Sequence, residues 1–123
     1  MIAPDLAAEL RAVVGKDGLL DSPRDLTLYE YDGSVDKARP DVVVLPRTTA
    51  QVAELAKIAA RRGMPLVGRG AGTGLSGGAI PREGGLMIGF ARMNKILEID
   101  YDNECAVVQP GVVNLDITLA VQG

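Results

Sequence analysis

The sequence contains no histidine, no tryptophan, a single cysteine and only four aromatic residues of other types. Without histidine, the chain lacks the commonest metal ligand and the usual general base near pH 7. We therefore expect no metal site, and no proton abstraction near pH 7 by these residues. The single cysteine, Cys105, excludes a disulfide within the chain. Because Cys105 lies in the apolar run 105–108, we predict that its side chain packs in the core.

The chain also lacks an excess of positive charge and a long hydrophobic run. Its 13 basic and 16 acidic residues give a formal net charge of -3, which provides no basic surface for nucleic acid, and few rings are available for base stacking. No apolar stretch approaches the ~20 residues that span a bilayer, and the N-terminus has no signal-peptide pattern. We therefore expect no nucleic-acid partner, no transmembrane segment, and a protein that is cytoplasmic or enclosed by a partner.

The composition is that of a folded domain. With 123 residues, of which 47% are hydrophobic and 24% charged, the chain is long enough for one small core and forms one domain or part of one. Near the N-terminus, Pro4 can open a helix that Gly15 ends, and apolar residues recur between them at helical spacing. Ser22 and Pro23 are typical of the cap and first turn of a second short helix, which we expect to reach about Tyr29.

The middle of the sequence predicts a β-α-β unit. The run 42–45 is apolar and β-branched, which is typical of a strand covered on both faces. Thr48 and Gln51 have the spacing of a capping box for an amphipathic helix that ends at Gly63. Residues 65–68 form the next predicted strand. We expect the two strands to be parallel and the crossover between them to be right-handed.

Three more strands and one helix are predicted in the last third of the chain. Residues 86–90 predict a strand, and residues 96–100 and 105–109 flank a turn and predict an antiparallel hairpin. Asn114 can cap a final amphipathic helix. The sequence therefore predicts an α+β fold, with a mixed sheet and flanking helices, and we expect this fold to continue beyond Gly123.

A glycine-rich loop follows the second strand of the β-α-β unit. Its residues are Arg69, Gly70, Ala71, Gly72, Thr73, Gly74, Leu75, Ser76, Gly77, Gly78 and Ala79. Glycine adopts positive φ without steric cost and has no Cβ, so successive N–H groups can converge on a phosphate. The alternative is a mobile surface turn, but such turns normally contain polar turn-forming residues, and this loop has no Asp, Asn or Pro. We therefore predict that the loop binds a phosphate.

The pattern Gly-x-Gly-x-x-Gly at residues 72–77 raises the possibility of a Rossmann dinucleotide site. In that site the motif opens a helix, whereas residues 78–85 contain further glycines and a proline and predict no helix. A Walker loop is excluded because no Gly-Lys-Ser/Thr sequence follows. An extended backbone nest remains. Arg69 is predicted to pair with a phosphate, to hold the loop, or to be solvated at the strand end, and the Thr73 and Ser76 hydroxyls can serve either a phosphate or the loop backbone.

The loop, together with residues 65–68, closely resembles the pyrophosphate-binding loop of the FAD-linked oxidases of the vanillyl-alcohol oxidase and p-cresol methylhydroxylase group. Supporting segments stand in the family's order at residues 43–46, 51–52, 93–100 and 108–112. Within that group, residues 29–33 and 74–79 look most like the FAD-binding D subunit of glycolate oxidase and related D-lactate dehydrogenases. The resemblance extends from about Leu6 to Val121.

The resemblance implies a two-lobed flavin domain. This chain would supply the first lobe, residues 41–123, preceded by an N-terminal helical segment, residues 1–40. The loop would lie on the FAD pyrophosphate, and a second element would lie near the cofactor, although by itself it is also consistent with a strand-ending turn. The residues of that element are Pro110, Gly111 and Val112. Some relatives attach the flavin through a histidine at the position of Thr73, so the resemblance implies non-covalent FAD here.

The same resemblance implies that the full-length protein oxidises a 2-hydroxy acid such as glycolate or D-lactate by passing a hydride to the flavin. The second FAD lobe and the substrate domain would follow Gly123, so no catalytic residue carries over to this chain, and this chain alone is expected to be inactive. Partner subunits of an oxidase complex are also implied. Two alternatives stay open: a non-catalytic nucleotide-binding or assembly module, and a flavoenzyme of the same fold with another substrate, such as an aldonolactone or a cell-wall sugar nucleotide.

Overall fold

The computed structural model describes residues 2–31, 37–74 and 77–122. In chain order, its helices and strands are α1 (Pro4–Val14), β1 (Leu19–Leu20), α2 (Pro23–Thr27), β2 (Val42–Val44), α3 (Thr49–Arg61), β3 (Leu66–Arg69), β4 (Leu86–Gly89), β5 (Ile96–Asp100), β6 (Cys105–Val108) and α4 (Asn114–Val121). A short 3₁₀ turn, Lys16–Gly18, precedes β1. The longest of these helices, α3, has 13 residues. No helix within the described ranges has both the length and the apolar character that a membrane span requires.

Four strands form a mixed sheet in the order β1-β2-β4-β3. Strand β4 lies between β2 and β3 and is parallel to both, which confirms the predicted parallel arrangement within the β-α-β unit. The antiparallel strand is β1, in which Leu19 pairs with Val44 and Leu20 pairs with Val43. The sheet is therefore mixed, as predicted, but its antiparallel member is a two-residue strand that the sequence pattern did not indicate.

Helices α1 and α3 pack together over one face of this sheet. The buried residues of this main core are Leu6, Ala7, Leu10, Val14, Leu19, Val42, Val44, Leu55, Ile58, Ala59, Leu86 and Ile88. Leu10 of α1 and Leu55 of α3 are completely buried, and burying each such side chain contributes about 1.5–3 kcal/mol. The predicted helical spacing of apolar residues in α1 and α3 thus supplies one side of the core.

The opposite face of the sheet carries a smaller core. Alternate residues of a strand point to opposite faces, so Val43 and Met87 lie on this side, where they pack with Leu26 of α2. Tyr29 and Val67 are partly buried against the same cluster. Strand β2 is thus covered on both faces, as its uninterrupted apolar run predicted.

Side-chain caps define the starts of α2 and α3. Ser22 caps α2, and Thr48 Oγ1 accepts a hydrogen bond from the Gln51 N–H group at 3.1 Å, as predicted. The Gln51 side chain does not complete the predicted capping box at Thr48. Its Oε1 accepts from the Arg47 N–H group at 2.7 Å, and its Nε2 donates to the Val13 carbonyl at 3.1 Å. Gln51 therefore ties α3 to the end of α1.

Strands β5 and β6 form the predicted antiparallel hairpin, which is a separate two-stranded sheet. The side chains of Cys105 and Val107 are exposed. The prediction that Cys105 packs in the core is therefore wrong. An apolar run is buried only where another layer packs closely against it, and these two side chains remain exposed.

Helix α4 contains no buried residue. Asn114 is its first residue and not its cap, because Val113 takes the cap position and no side chain caps this end within the described residues. The prediction that Asn114 caps the helix is therefore wrong. The exposed apolar side chains of the hairpin and α4, which we call the C-terminal apolar residues, are Leu97, Tyr101, Val107, Val113, Leu115, Leu119 and Val121.

The turn between β5 and β6 is expected to loosen in acid. The side-chain amide of Asn103 donates to Asp100 Oδ2 at 2.8 Å, and its N–H group donates to Oδ1 at 3.1 Å. These hydrogen bonds favour the carboxylate and lower the pKa of Asp100 below 3.8. A lowered folded-state pKa means that the stabilisation is fully present above the unfolded value and is lost as the pH falls through the folded value.

We therefore expect the Asn103 amide resonances to shift as the pH is lowered below 3.8. The measurement is a pH titration followed by NMR. Asp100→Asn should abolish this dependence because the titrating group is gone. Resonances of Asn103 that stay constant in the unsubstituted protein through this range would contradict the prediction.

Candidate functional site

The glycine-rich loop leaves the sheet at the carboxyl end of β3. Strand β3 ends at Arg69 and its parallel neighbour β4 ends at Gly89, so the segments that follow them meet at one edge of the sheet. Open parallel sheets bind ligands outside this edge. The returning part of the loop is anchored by the buried residues Ile80 and Pro81. Residues 77–85 form turns and no helix, which agrees with the exclusion of a Rossmann site.

The glycines of the loop fall into two groups. Gly72 and Gly77 have φ of 74°, a conformation that other residues adopt only with strain. Gly70, Gly74 and Gly78 do not have positive φ, and a Cβ built on any of them would have no atom within 4 Å. Backbone conformation and internal packing therefore explain the first group but give no reason for glycine at the other three positions.

The main chain of the loop provides a set of hydrogen-bond donors. Within the described part of the chain, the N–H groups of residues 70–74 donate to no acceptor. Consecutive N–H groups in a loop that combines left-handed and other conformations form the type of concave surface that binds anions. An anion at this loop would therefore be held chiefly by backbone dipoles.

The Arg69 side chain folds back beneath the loop. Its Nη1 donates to the Tyr31 carbonyl at 2.7 Å, and its guanidinium carbon lies 5.4 Å from the centroid of the Tyr29 ring. The same guanidinium lies against Gly72, so closely that a Cβ on Gly72 would overlap it. Of the roles predicted for Arg69, these contacts favour holding the loop.

A cavity of ≈ 290 Å³ brings the two predicted site elements together. It is lined by Gly70, Ala71, Ala91, Asn94, Pro110, Gly111, Val112, Val113 and Asp116. The start of the glycine-rich loop and the turn 110–112 thus share one cavity, although about 40 residues separate them in the sequence. Asn94 and Asp116 were not predicted as site residues. Asn94 stands in a segment that supported the resemblance, whereas no local pattern marked Asp116.

Gly111 holds its turn against the end of β4. Its N–H group donates to the Met93 carbonyl at 2.8 Å. A Cβ on Gly111 would overlap the Phe90 carbonyl oxygen and lie 2.9 Å from the Met93 carbonyl oxygen. Only glycine allows this close approach of two backbone segments, and that approach forms one wall of the cavity.

The remaining described residues of the predicted site are not among those that line this cavity. Leu75 and Ser76 lie outside the described residues. Thr73 and Gly74 are exposed beyond the cavity lining, and residues 77–79 likewise do not line it. Whether these residues contact a ligand stays a prediction.

A larger cavity of ≈ 430 Å³ lies between the hairpin and α4. Its walls are mainly apolar, and Asp100 and Glu104 are its acidic residues. Carboxylates repel an anion, and this cavity has two of them where the smaller cavity has one, Asp116. No residue of the glycine-rich loop lines the larger cavity. The smaller cavity beside the glycine-rich loop is therefore the better candidate for a phosphate-containing ligand.

Comparison with known proteins gives a consistent set of similarities. A family described as "FAD binding domain" matches residues 40–123. The glycolate oxidase subunit GlcD of Bacillus subtilis (strain 168) is 42% identical over 123 residues, which cover 99% of this chain and 26% of that protein. A D-lactate dehydrogenase of Anaerostipes hadrus is 32% identical over 117 residues, which cover 94% of this chain and 25% of that protein. The chain thus spans about a quarter of the length of these curated relatives.

The fold is also similar to that of a solved structure. The crystal structure of p-cresol methylhydroxylase with substrate bound superposes with a TM-score of 0.83 at 28% sequence identity, over 96% of this chain and 24% of that one. The mixed sheet with flanking helices is therefore the arrangement found in that protein, and the predicted α+β class is confirmed.

Proposed function

The chain belongs to the FAD binding domain family, and from that premise we propose that its glycine-rich loop binds the pyrophosphate of FAD through main-chain N–H groups. The residues proposed to contact or border the pyrophosphate are those of the loop, 69–79. FAD is the cofactor of this family, and a pyrophosphate needs several hydrogen-bond donors and close backbone approach.

The observation that carries this proposal is the combination of free donors and open space in the loop. The N–H groups of residues 70–74 have no acceptor within the described chain, and Gly70, Gly74 and Gly78 have empty space where a side chain would stand. A ligand in this space would accept hydrogen bonds from the donors and would explain why the three positions carry no side chain. The chemistry of the donors suits the oxygen atoms of a phosphate.

We further propose that the cavity beside residues 110–112 borders the same cofactor. Gly70 and Ala71 belong to both the loop and the cavity, so a ligand bound at the loop would extend toward it. FAD is proposed to bind without a covalent link, because Thr73 stands at the attachment position and the chain contains no histidine.

Within the whole protein, we propose that residues 41–123 form the first lobe of the FAD domain and that residues 1–40 form an N-terminal helical segment, which packs onto this lobe through α1 and adds β1 to its sheet. The C-terminal apolar residues support the proposal that a further lobe is present, since seven large apolar side chains are exposed in the hairpin and α4 region. Exposed apolar patches of this kind commonly mark a surface that another part of a protein covers. A second lobe in the full-length protein would provide that cover.

For the full-length protein, we propose FAD-dependent oxidation of a 2-hydroxy acid such as glycolate or D-lactate. The names of the two curated relatives support this substrate class, and bound FAD would supply the hydride acceptor. The word "subunit" in the name of the first relative supports partner subunits of an oxidase complex. A cytoplasmic location stays a prediction. Bleaching of the flavin absorbance by glycolate or D-lactate would test the substrate class, and bleaching by neither would favour the other substrates or the non-catalytic module.

The loop proposal is tested by Gly74→Asp in the full-length protein. The new side chain would enter open space, so we expect the fold and the melting temperature of the FAD-free protein to be unchanged. The added carboxylate would stand beside two phosphates, and like charges in a partly desolvated site repel by several kcal/mol, so FAD affinity should fall by at least about 100-fold. Fluorescence titration with FAD measures the dissociation constant.

Ala53→Asp is the matched control for this experiment. It adds the same charge on the exposed surface of α3, far along the chain from the loop, and should leave FAD affinity unchanged. Gly74→Asp protein that binds FAD as tightly as the unsubstituted protein would contradict binding of the pyrophosphate at this loop.

A further inference from the structure

We propose that Tyr29 and Arg69 are positioning residues that preorganise the cofactor loop, and that the N-terminal segment acts on the FAD site through them. This inference rests on the proposed function, because it assigns a cause to the shape of the same loop. The cause lies in a segment of the chain that precedes the matched domain, which begins at residue 40.

Tyr29 is held in place by its packing against the smaller core. Its ring packs against the cluster of Leu26, Val43 and Met87, which are all buried. Val67 packs against the same cluster. Val67 and Arg69 are two residues apart in β3 and so point to the same face of the sheet, which brings the Arg69 side chain to the Tyr29 ring.

The Tyr31 carbonyl is fixed by a second set of contacts. The Ala38 N–H group donates to the Glu30 carbonyl at 2.8 Å, and Arg39 Nε donates to Glu30 Oε1 at 2.7 Å. Tyr31 also forms an isolated antiparallel bridge with Lys37. The acceptor for Arg69 Nη1 therefore belongs to a segment that is itself held in place.

Arg69 connects these two anchors to the loop. Its guanidinium lies over the Tyr29 ring, donates to the Tyr31 carbonyl and lies against Gly72. A lysine could supply the charge but neither the planar stacking surface nor the forked donors. Gly72 has φ of 74°, and contact with a fixed guanidinium maintains this conformation, which presents the N–H groups of residues 70–74 before a ligand arrives. Preorganisation of this kind increases affinity because less ordering is required on binding.

The test is a double-mutant cycle in the full-length protein. Tyr29→Leu keeps an apolar side chain in the smaller core but removes the ring, and Arg69→Lys keeps the charge. Each should raise the dissociation constant for FAD by about 3- to 30-fold, the range of a partly desolvated cation–π contact. The double variant should have about the same dissociation constant for FAD as the single variant that binds FAD more weakly, because both substitutions break the same Tyr29–Arg69 contact. Effects that multiply would overturn the proposal.

A second readout needs no cofactor. In the FAD-free protein, trypsin should cleave after Arg69 faster in the Tyr29→Leu variant than in the unsubstituted protein, measured relative to cleavage after the exposed Arg47. Release of the guanidinium from the ring and the carbonyl would make the peptide bond accessible. An unchanged cleavage ratio would overturn the proposal.

Two control variants separate positioning from stability. Tyr29→Phe keeps the ring and should bind FAD normally. Leu26→Val shrinks a buried side chain of the same cluster and should lower the melting temperature without changing FAD affinity. If Leu26→Val weakened FAD binding as much as Tyr29→Leu does, the effect would be merely structural and the proposal would be overturned.

The positioning role and the proposed function can fail separately. If the unsubstituted protein binds FAD but Gly74→Asp does so equally well, the proposed function fails. If Gly74→Asp loses FAD and Tyr29→Leu does not, only the positioning role fails.

Discussion

Full-length protein carrying Gly72→Val is expected to purify without flavin. Gly72 has φ of 74°, and a β-branched residue held in that conformation costs about 1–3 kcal/mol. Its Cβ would also overlap the Arg69 guanidinium, which would have to leave the Tyr29 ring. Either relaxation moves the N–H groups of residues 70–74, so we expect FAD affinity to fall by at least about 100-fold. Flavin absorbance of the purified protein and fluorescence titration measure this loss.

Gly63→Val is a closely matched control. Gly63 has φ of 64° but no atom within 4 Å of an added Cβ, and it lies just beyond α3 and not in the loop. The control should show a similar loss of stability, about 1–3 kcal/mol in chemical unfolding, with flavin retained. Circular dichroism should show that both variants are folded. Yellow Gly72→Val protein would mean that the cofactor binds without this loop.

Gly111→Ala is expected to have the second largest effect. The added methyl group would overlap the Phe90 carbonyl oxygen and lie 2.9 Å from the Met93 carbonyl oxygen. Both obstacles are backbone atoms, which cannot swing aside as a flexible side chain can. The turn 110–112 would therefore move away from the end of β4. We expect a loss of stability of about 1–3 kcal/mol, which is typical of overpacking, and a fall in FAD affinity of at least about tenfold, measured by chemical unfolding and fluorescence titration.

Val113→Ala tests whether displacement of the backbone causes the losses expected for Gly111→Ala. Val113 lines the same cavity but its side chain is exposed, so its truncation removes contact surface without pushing the turn. We expect stability to change by less than about 0.5 kcal/mol. Gly111→Ala protein with normal stability and normal FAD affinity would show that the turn neither requires glycine nor shapes the site.

The correct predictions for this fold rest on local signals. Pro4, Ser22 and Thr48 mark helix starts because a fixed φ or a capping oxygen acts on the next few residues. Each acts within one turn of chain, and the structure contains each helix where these residues place it. The run 42–45 was assigned correctly for a similar reason, since β-branched residues favour extended backbone wherever they occur.

The errors concern burial and pairing, which depend on distant parts of the chain. The apolar run around Cys105 predicts that this side chain is buried, but it is exposed, because an apolar run does not specify which other element packs against it. Strand β1 was missed because two residues carry no periodic pattern, and its existence depends on pairing with β2. The side chain of Gln51 donates to the Val13 carbonyl, a distant partner that is within reach only once α1 and α3 are packed.

For the site, three features could be predicted from the amino-acid sequence alone: the glycine-rich loop, the lack of a helix after it and its capacity to present N–H groups. These properties follow from the absence of Cβ atoms and from the φ range of glycine, both of which are local. The contacts of Arg69 with Tyr29 and Tyr31, and the cavity that Gly70 shares with Gly111, become visible only in the folded chain. Such contacts depend on the order of strands in the sheet and on the close approach of separate backbone segments. Both of these arise from packing across the whole domain.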